Sequence, residues 1–228
     1  MIEFLFLDLD DTILDFHKAE RIAIAKTFEH FGIDPNEQVL SLYHDINKAH
    51  WEMLERGELT REQVLVRRFS CLFSHFDIVA DAQECARLYA QNLSIGHYFL
   101  PGAEEAVIRL SKKYRLFLAS NGTASVQAGR LASANLSRFF EKIFISQEIG
   151  YNKPAIEFFQ RSFSQIPNFD PQKAMIVGDS LSSDILGGIQ AGIRTCWVNP
   201  THAPARPGIC PDHEIEGLYQ LEALLEAL

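Results

Sequence analysis

The stretch "FLFLDLDDTILDF" (Phe4–Phe16) decides the fold. Phe4, Leu5, Phe6 and Leu7 are apolar at consecutive positions, the pattern of a strand buried on both faces. Asp8, Asp10 and Asp11 follow at its carboxyl end. Two ionised carboxylates ~4 Å apart repel by about 4 kcal/mol at an effective dielectric of roughly 20. Strand alternation predicts Asp8 and Asp10 on the same side, with Asp11 pointing away from them. A divalent cation between Asp8 and Asp10 would remove the penalty.

Outward from this stretch, short apolar runs alternate with helix-like segments. Ile2–Leu7, Leu116–Ala119, Ile143–Ile145, Ala174–Val177 and Thr195–Val198 read as strands. Ala103–Lys113, Ala124–Ala134, Ala155–Gln165 and Ser183–Ala191 read as helices. Such alternation predicts an α/β fold: a Rossmann-like parallel sheet with helices on both faces. Between the first two strands the texture changes. His17–Phe31, Val39–Leu54, Arg61–Phe73 and Ala82–Leu93 carry helical patterns and no strand. Thr60 and Gln63 have capping-box spacing at the start of the third. This connection far exceeds an ordinary crossover of ~10–12 residues. We therefore expect an all-helical cap domain over 16–96, inserted into a core domain of 1–15 and 97–228. A helical layer fixed to the sheet is the plainer arrangement.

Composition narrows the function. The chain has 228 residues, of which 47% are hydrophobic, enough for a core domain and a smaller one. Thirty acidic against 21 basic residues give a net charge of −9, which argues against a nucleic-acid polymer as partner. No apolar run reaches the ~18 residues of a membrane span, and Asp8 interrupts the opening run too early for a signal peptide. Cys71, Cys85, Cys196 and Cys210 are far apart and fit free thiols in a reducing cytoplasm. Cys210-x-x-His213 lacks a second pair of ligands and reads as surface sequence.

In open α/β sheets ligands bind beyond the carboxyl ends of the strands. Four polar clusters lie there: Asp8 through Thr12, Ser120-Asn121-Gly122, Lys153 within "GYNKP", and Gly178-Asp179-Ser180 followed by Asp184. Their carboxylates are hard oxygen donors with no histidine or cysteine among them, which points to Mg²⁺ rather than zinc. Taken singly, each cluster has a plainer explanation. Asp11 and Asp184 suit helix caps, Asn121-Gly122 suits a turn, and Lys153 before Pro154 suits a solvated lysine at a helix start.

Together and in this order, the clusters resemble the haloacid dehalogenase-like hydrolase superfamily. Asp8-Leu9-Asp10-Asp11-Thr12 matches its D-x-D-x-T motif. Ser120 matches its strand-end Ser or Thr, Lys153 its lysine, and Gly178-Asp179 through Asp184 its G-D-x-x-x-x-D. The resemblance implies that Asp8 is a nucleophile forming an aspartyl-phosphate, and that Asp10 is the general acid and base. It implies Mg²⁺ held by Asp8, the Asp10 backbone carbonyl and Asp179, with Asp184, Thr12 and Gly122 in support. Ser120, Asn121 and Lys153 would hold the phosphoryl oxygens. Dehalogenases of the superfamily lack the second aspartate, so Asp10 favours phosphoryl transfer.

A looser likeness, in "DLDDTILDF", "GYNKP" and "GDSLSSDILGGIQAGIRTCWVNP", is to the pyrimidine 5′-nucleotidases of that superfamily. It implies a small phosphorylated metabolite, a nucleoside monophosphate, as substrate. Phosphoglycolate and sugar-phosphate phosphatases share much of this texture, a phosphomutase would use the same core, and a phospho-acceptor signalling module is the non-enzymatic alternative. Tyr43, His50 and Trp51 could contact substrate from the insert, but aromatic residues at helical spacing are usually packing, so they stand outside the expected site.

Overall fold

The computed structural model describes residues Met1–Leu228. In chain order its elements begin with β1 (Phe4–Leu7), α1 (Phe16–His30), α2 (Glu37–Glu55), α3 (Arg61–His75) and α4 (Ala82–Leu93). They continue with α5 (Ala103–Leu110), β2 (Arg115–Ser120), α6 (Ala124–Ser133), β3 (Lys142–Ile145), α7 (Ser146–Ile149) and α8 (Ile156–Phe163). β4 (Ala174–Gly178), α9 (Leu186–Ala191), β5 (Arg194–Val198), β6 (His213–Ile215) and α10 (Leu221–Glu226) complete the chain. It forms two compact units, Met1–Phe16 with His97–Leu228, and His17–Gly96.

The first unit is built on a sheet of order β3-β2-β1-β4-β5-β6, with every pairing parallel. β1 lies centrally because all four of its side chains are buried. Phe4 and Phe6 pack on one face with Phe117, Phe144, Phe158 and Phe159. Leu5 and Leu7 pack on the other with Val107, Leu110, Leu118 and Val177. Burial of each such side chain contributes about 1.5–3 kcal/mol. That anchors the strand against the charge that follows. Leu7 is in register with Leu118 on one side and Val177 on the other. Successive strands run outward from β1 to β3, and β4 then returns to its opposite side. The carboxyl ends of β1, β2 and β4 thus meet at the point where strand order reverses, the natural binding crevice of an open parallel sheet.

Three local expectations need correction. Residues 181–191 do not form one helix: Leu181–Ile185 is a π-helical turn, and only then does α9 begin. Pro154 is not in the first turn of α8. It follows Lys153 through a cis peptide, in a turn ahead of the helix. Cys210 is exposed, in keeping with the surface reading of Cys210-x-x-His213, and His213 opens β6. Asp212 just before it accepts hydrogen bonds from the Thr195 amide and hydroxyl at 2.8 and 2.9 Å, tying this edge to β5. Finally, β1 stops at Leu7, so strand alternation does not reach Asp10.

The second unit consists of α1 to α4. Thr60 and Gln63 form the capping box: the Gln63 amide donates to Thr60 Oγ1, and the Thr60 amide donates to Gln63 Oε1. Tyr43 is buried among Phe28, Phe69 and Tyr89, with ring centroids 6.0, 5.3 and 5.6 Å away. His50 Nδ1 bonds the Ile46 carbonyl within α2, and Trp51 lies under the Arg61 guanidinium. Tyr43 is therefore packing. All four cysteines are free thiols, and no helix is long and apolar enough to cross a membrane.

Candidate active site

The centre of the site is Lys153, which is 1% exposed and far from the solvated lysine its sequence context suggests. Its Nζ donates to Asp8 Oδ1 at 2.7 Å, Asp184 Oδ1 at 2.5 Å and the Ala119 carbonyl at 2.6 Å. These three bonds use every proton of the ammonium. The Lys153 backbone is held as firmly. Its amide donates to Asn121 Oδ1 at 2.8 Å, and Asn121 Nδ2 donates to the Lys153 carbonyl at 2.9 Å. The Asn121 side chain is a clamp that sets the lysine at the tip of β2.

Asp8 sits one residue past β1, its amide bonded to the Val177 carbonyl at 3.0 Å. Asp184 is 1% exposed and is no ordinary helix cap. Its Oδ2 accepts from the Ser180 amide at 3.1 Å, while Ser180 Oγ accepts the Ser183 amide and caps the π-helical turn. Gly178 leaves room for this inward turn, since a Cβ there would fall on the Asp184 carboxylate. Asp179 stands at the tip of β4, where Trp197 Nε1 donates to its carbonyl at 2.7 Å.

Asp8, Asp179 and Asp184 offer carboxylate oxygens that all lie within 4.8 Å of one another. One ammonium cannot neutralise three such groups. Burial pushes the Asp8 carboxyl up to about 8; Lys153 pulls it down, and Asp184 and Asp10 add to the rise. Burial, then the charges of Asp8 and Asp184, also hold the Asp179 carboxyl well above the ordinary range. For Lys153 burial opposes the charge, but Asp184 and Asp8 outweigh it and hold the ammonium above its usual value. The pocket is short of positive charge, and its donors are hard oxygens. Asp8, Asp179 and Asp184 therefore fit a hard divalent cation, whose charge would restore the ionised carboxylates.

A pH dependence follows. Between the ordinary carboxylate range and about 8, Asp8 is protonated in the folded chain and ionised in the unfolded one. Folding then takes up protons, so the stabilisation is complete at low pH and is lost as pH rises through the folded value. Chelator-treated protein should melt at lower temperature as pH is raised from about 6 to about 8. The slope should be shallower in Asp8→Asn, which lacks the titrating group; equal slopes in thermal melts would contradict the assignment.

The Asp10 carboxylate has different partners. Gln127 Nε2 donates to its Oδ2 at 2.7 Å, and Arg130 Nη1 makes a close ion pair with its Oδ1. Gln127 Nε2 also donates to Ser120 Oγ at 2.9 Å, and that hydroxyl accepts the Gly122 amide at 3.1 Å. A side chain on Gly122 would collide with Gln127. Gln127 and Arg130, one turn apart on α6 and both buried, thus link the first two clusters. Sequence reading missed them because a glutamine and an arginine in a short helix look like its solvent face. Their i, i+3 spacing just after a strand-end serine is the one usable signal. Thr12 is buried in the loop after β1. Asp11 shapes the local backbone: at φ 53° it turns the chain, and its Oδ1 accepts from the Phe16 amide at 2.9 Å, while its charge adds to the rise at Asp179.

Fold and site together define an α/β enzyme with an acidic, lysine-centred pocket at the switch point of a parallel sheet. The haloacid dehalogenase-like hydrolase family model matches residues 5–198. HAD-hydrolase YfnB of Bacillus subtilis (strain 168) is 38% identical over 221 residues, covering 97% of this chain and 94% of its own. Pyrimidine 5′-nucleotidase PynA of Streptococcus pneumoniae (strain ATCC BAA-255 / R6) is 35% identical over 227 residues, covering 99% and 94%. A crystal structure of YfnB, described as bound to magnesium, superposes with a TM-score of 0.94 at 37% identity over 98% of each chain. The chain belongs to the haloacid dehalogenase-like hydrolase family and is an enzyme of that hydrolase class.

Proposed function

We propose that this chain is a Mg²⁺-dependent phosphomonoester hydrolase acting through an aspartyl-phosphate on Asp8, and that it is a cytoplasmic 5′-nucleotidase preferring pyrimidine nucleoside monophosphates. The observation that carries the reaction class is the buried Lys153 ammonium shared by Asp8 and Asp184, beside Asp179. A carboxylate approaching a phosphate dianion is repelled, and a fixed cation beside it reduces that repulsion. The magnesium of YfnB supports the choice of metal, and the activity in PynA's name supports the substrate class.

Asp8, the Asp10 backbone carbonyl and Asp179 would hold the ion with Asp184 in support, and when bound it supplies positive charge that offsets the charge on the phosphoryl oxygens. Asp8 is pinned at one oxygen by Lys153, and its carboxylate attacks phosphorus. The bond from phosphorus to the leaving oxygen breaks, and Asp10, which must first take a proton from solvent and loosen its ion pair with Arg130, delivers that proton to the leaving oxygen. Asp10 then takes a proton from water, whose oxygen attacks the same phosphorus; the bond to Asp8 breaks and phosphate leaves. Gln127 and Arg130 orient the Asp10 carboxylate in its ionised, proton-accepting state. The covalent route splits one difficult displacement into two.

Phosphate release from a panel of nucleoside monophosphates, phosphoglycolate and sugar phosphates, with Mg²⁺ and with EDTA, tests the reading. Pyrimidine monophosphates should be preferred, and EDTA should reduce turnover by at least ~100-fold, the scale of losing a major electrostatic contribution. Turnover indifferent to EDTA would remove the metal; preference for a sugar phosphate would remove the nucleotidase assignment.

A further inference from the structure

The helical unit has a cluster of side chains of metal-ligating type that the hydrolytic chemistry does not use. His17 and Glu20 are three residues apart on α1, and His44 is on α2. Each offers a ligand atom, and these atoms all lie within 4.8 Å of one another. The two imidazole rings approach to 4.7 Å between centroids. Glu20 is 3% exposed, an unusual place for a carboxylate on a helix.

Its carboxylate is held by a chain of buried partners. Glu20 Oε1 accepts from Asn47 Nδ2 at 2.6 Å, and Asn47 Oδ1 accepts from Arg68 Nη1 at 2.6 Å. Arg68 is itself buried, with its guanidinium over the Phe69 and Tyr89 rings. The other oxygen, Oε2, meets His44 Nδ1 at 2.6 Å. Outer hydrogen bonds of this kind fix the orientation of a ligating carboxylate.

We infer that His17, Glu20 and His44 form a divalent transition-metal site, with Zn²⁺ the best-fitting ion, separate from the carboxylate pocket of the core unit. Two imidazole nitrogens and one carboxylate oxygen suit Zn²⁺ far better than Mg²⁺, which prefers oxygen donors. Bonds of ~2.0–2.2 Å from one ion to His44 and Glu20 require only a slight opening of their present contact, with a proton displaced. Three protein ligands leave the fourth tetrahedral position to water. The Arg68 charge, reaching Glu20 through Asn47, and nearby Lys48 oppose binding, while Asp45 favours it.

Calorimetric titration of Zn²⁺ into chelator-stripped full-length protein, in excess Mg²⁺ to fill the core pocket, tests the inference. Wild type should bind one Zn²⁺ that His17→Ala weakens by at least ~10-fold and His44→Ala by ~100-fold, while Cys71→Ala and Cys210→Ala leave it unchanged. His17 is exposed, so its variant decides the matter should His44→Ala fold poorly. Co²⁺ in place of Zn²⁺ should give visible absorption bands that His17→Ala alters. No binding by wild type, or equal affinity in His17→Ala, would overturn the site.

Discussion

Asp8→Asn should leave a folded protein that releases no phosphate above background. Asparagine keeps the size of the side chain and one oxygen for the Lys153 ammonium, now 2.7 Å from Asp8 Oδ1. It loses the negative oxygen that would attack phosphorus. Removing a nucleophile costs on the order of 10⁴–10⁶-fold in turnover, so kcat should fall below detection while binding of the phosphorylated substrate persists. Stability should move the other way. Burial pushes the Asp8 carboxyl up to about 8, so its charge is unfavourable where it stands without a cation. The neutral amide removes one of three crowded carboxylates, and in chelator the variant should melt no lower than wild type near pH 8. Turnover and thermal melts on one preparation decide the point. A variant that keeps more than about a hundredth of its activity would show that another group attacks phosphorus.

The parts of this site that were legible in the sequence are those at strand tips. Asp8, Ser120 and Asp179 follow or end short apolar runs, and a parallel sheet gathers the carboxyl ends of its central strands whatever the intervening chain does. Lys153 and Asp184 were legible only by their order along the chain, since nothing local separates a buried lysine from a solvated one. Arg130 shows the limit. It lies in "AGRLAS", and its burial is decided by Asp10, 120 residues earlier. Asn121 shows another: its dipeptide with Gly122 announces a turn, but only the fold brings its amide to the Lys153 backbone. β6 escaped because three residues are too few for a periodic signal, and its register depends on Asp212 reaching Thr195. The four helices of the second unit were legible almost in full because each carries a long apolar face, whereas the contact between His44 and Glu20 depends on how α1 meets α2.

Replacing Lys153 by Met should damage stability and turnover together, the reverse of the separation expected at Asp8. The ammonium is 1% exposed and gives its protons to Asp8, Asp184 and the Ala119 carbonyl. Methionine fills most of the space but leaves two buried carboxylates and a carbonyl without their donor. Breaking a buried ion pair from one side costs about 3–5 kcal/mol. The denaturant midpoint in chelator should shift accordingly, and the loss should grow with pH, because stranded carboxylates take up protons on folding. Divalent cation should recover part of the stability by supplying positive charge to Asp8, Asp179 and Asp184. It should not restore the rate. With the fixed charge beside the attacking oxygen gone, turnover should drop by at least ~10²–10³-fold. Lys153→Arg sharpens the test. A planar guanidinium cannot reproduce three convergent bonds from one nitrogen, so preserved charge should restore neither rate nor full stability. If arginine restores both, net charge alone is what the pocket requires, and the clamp of Asn121 on the Lys153 backbone has no bearing on catalysis.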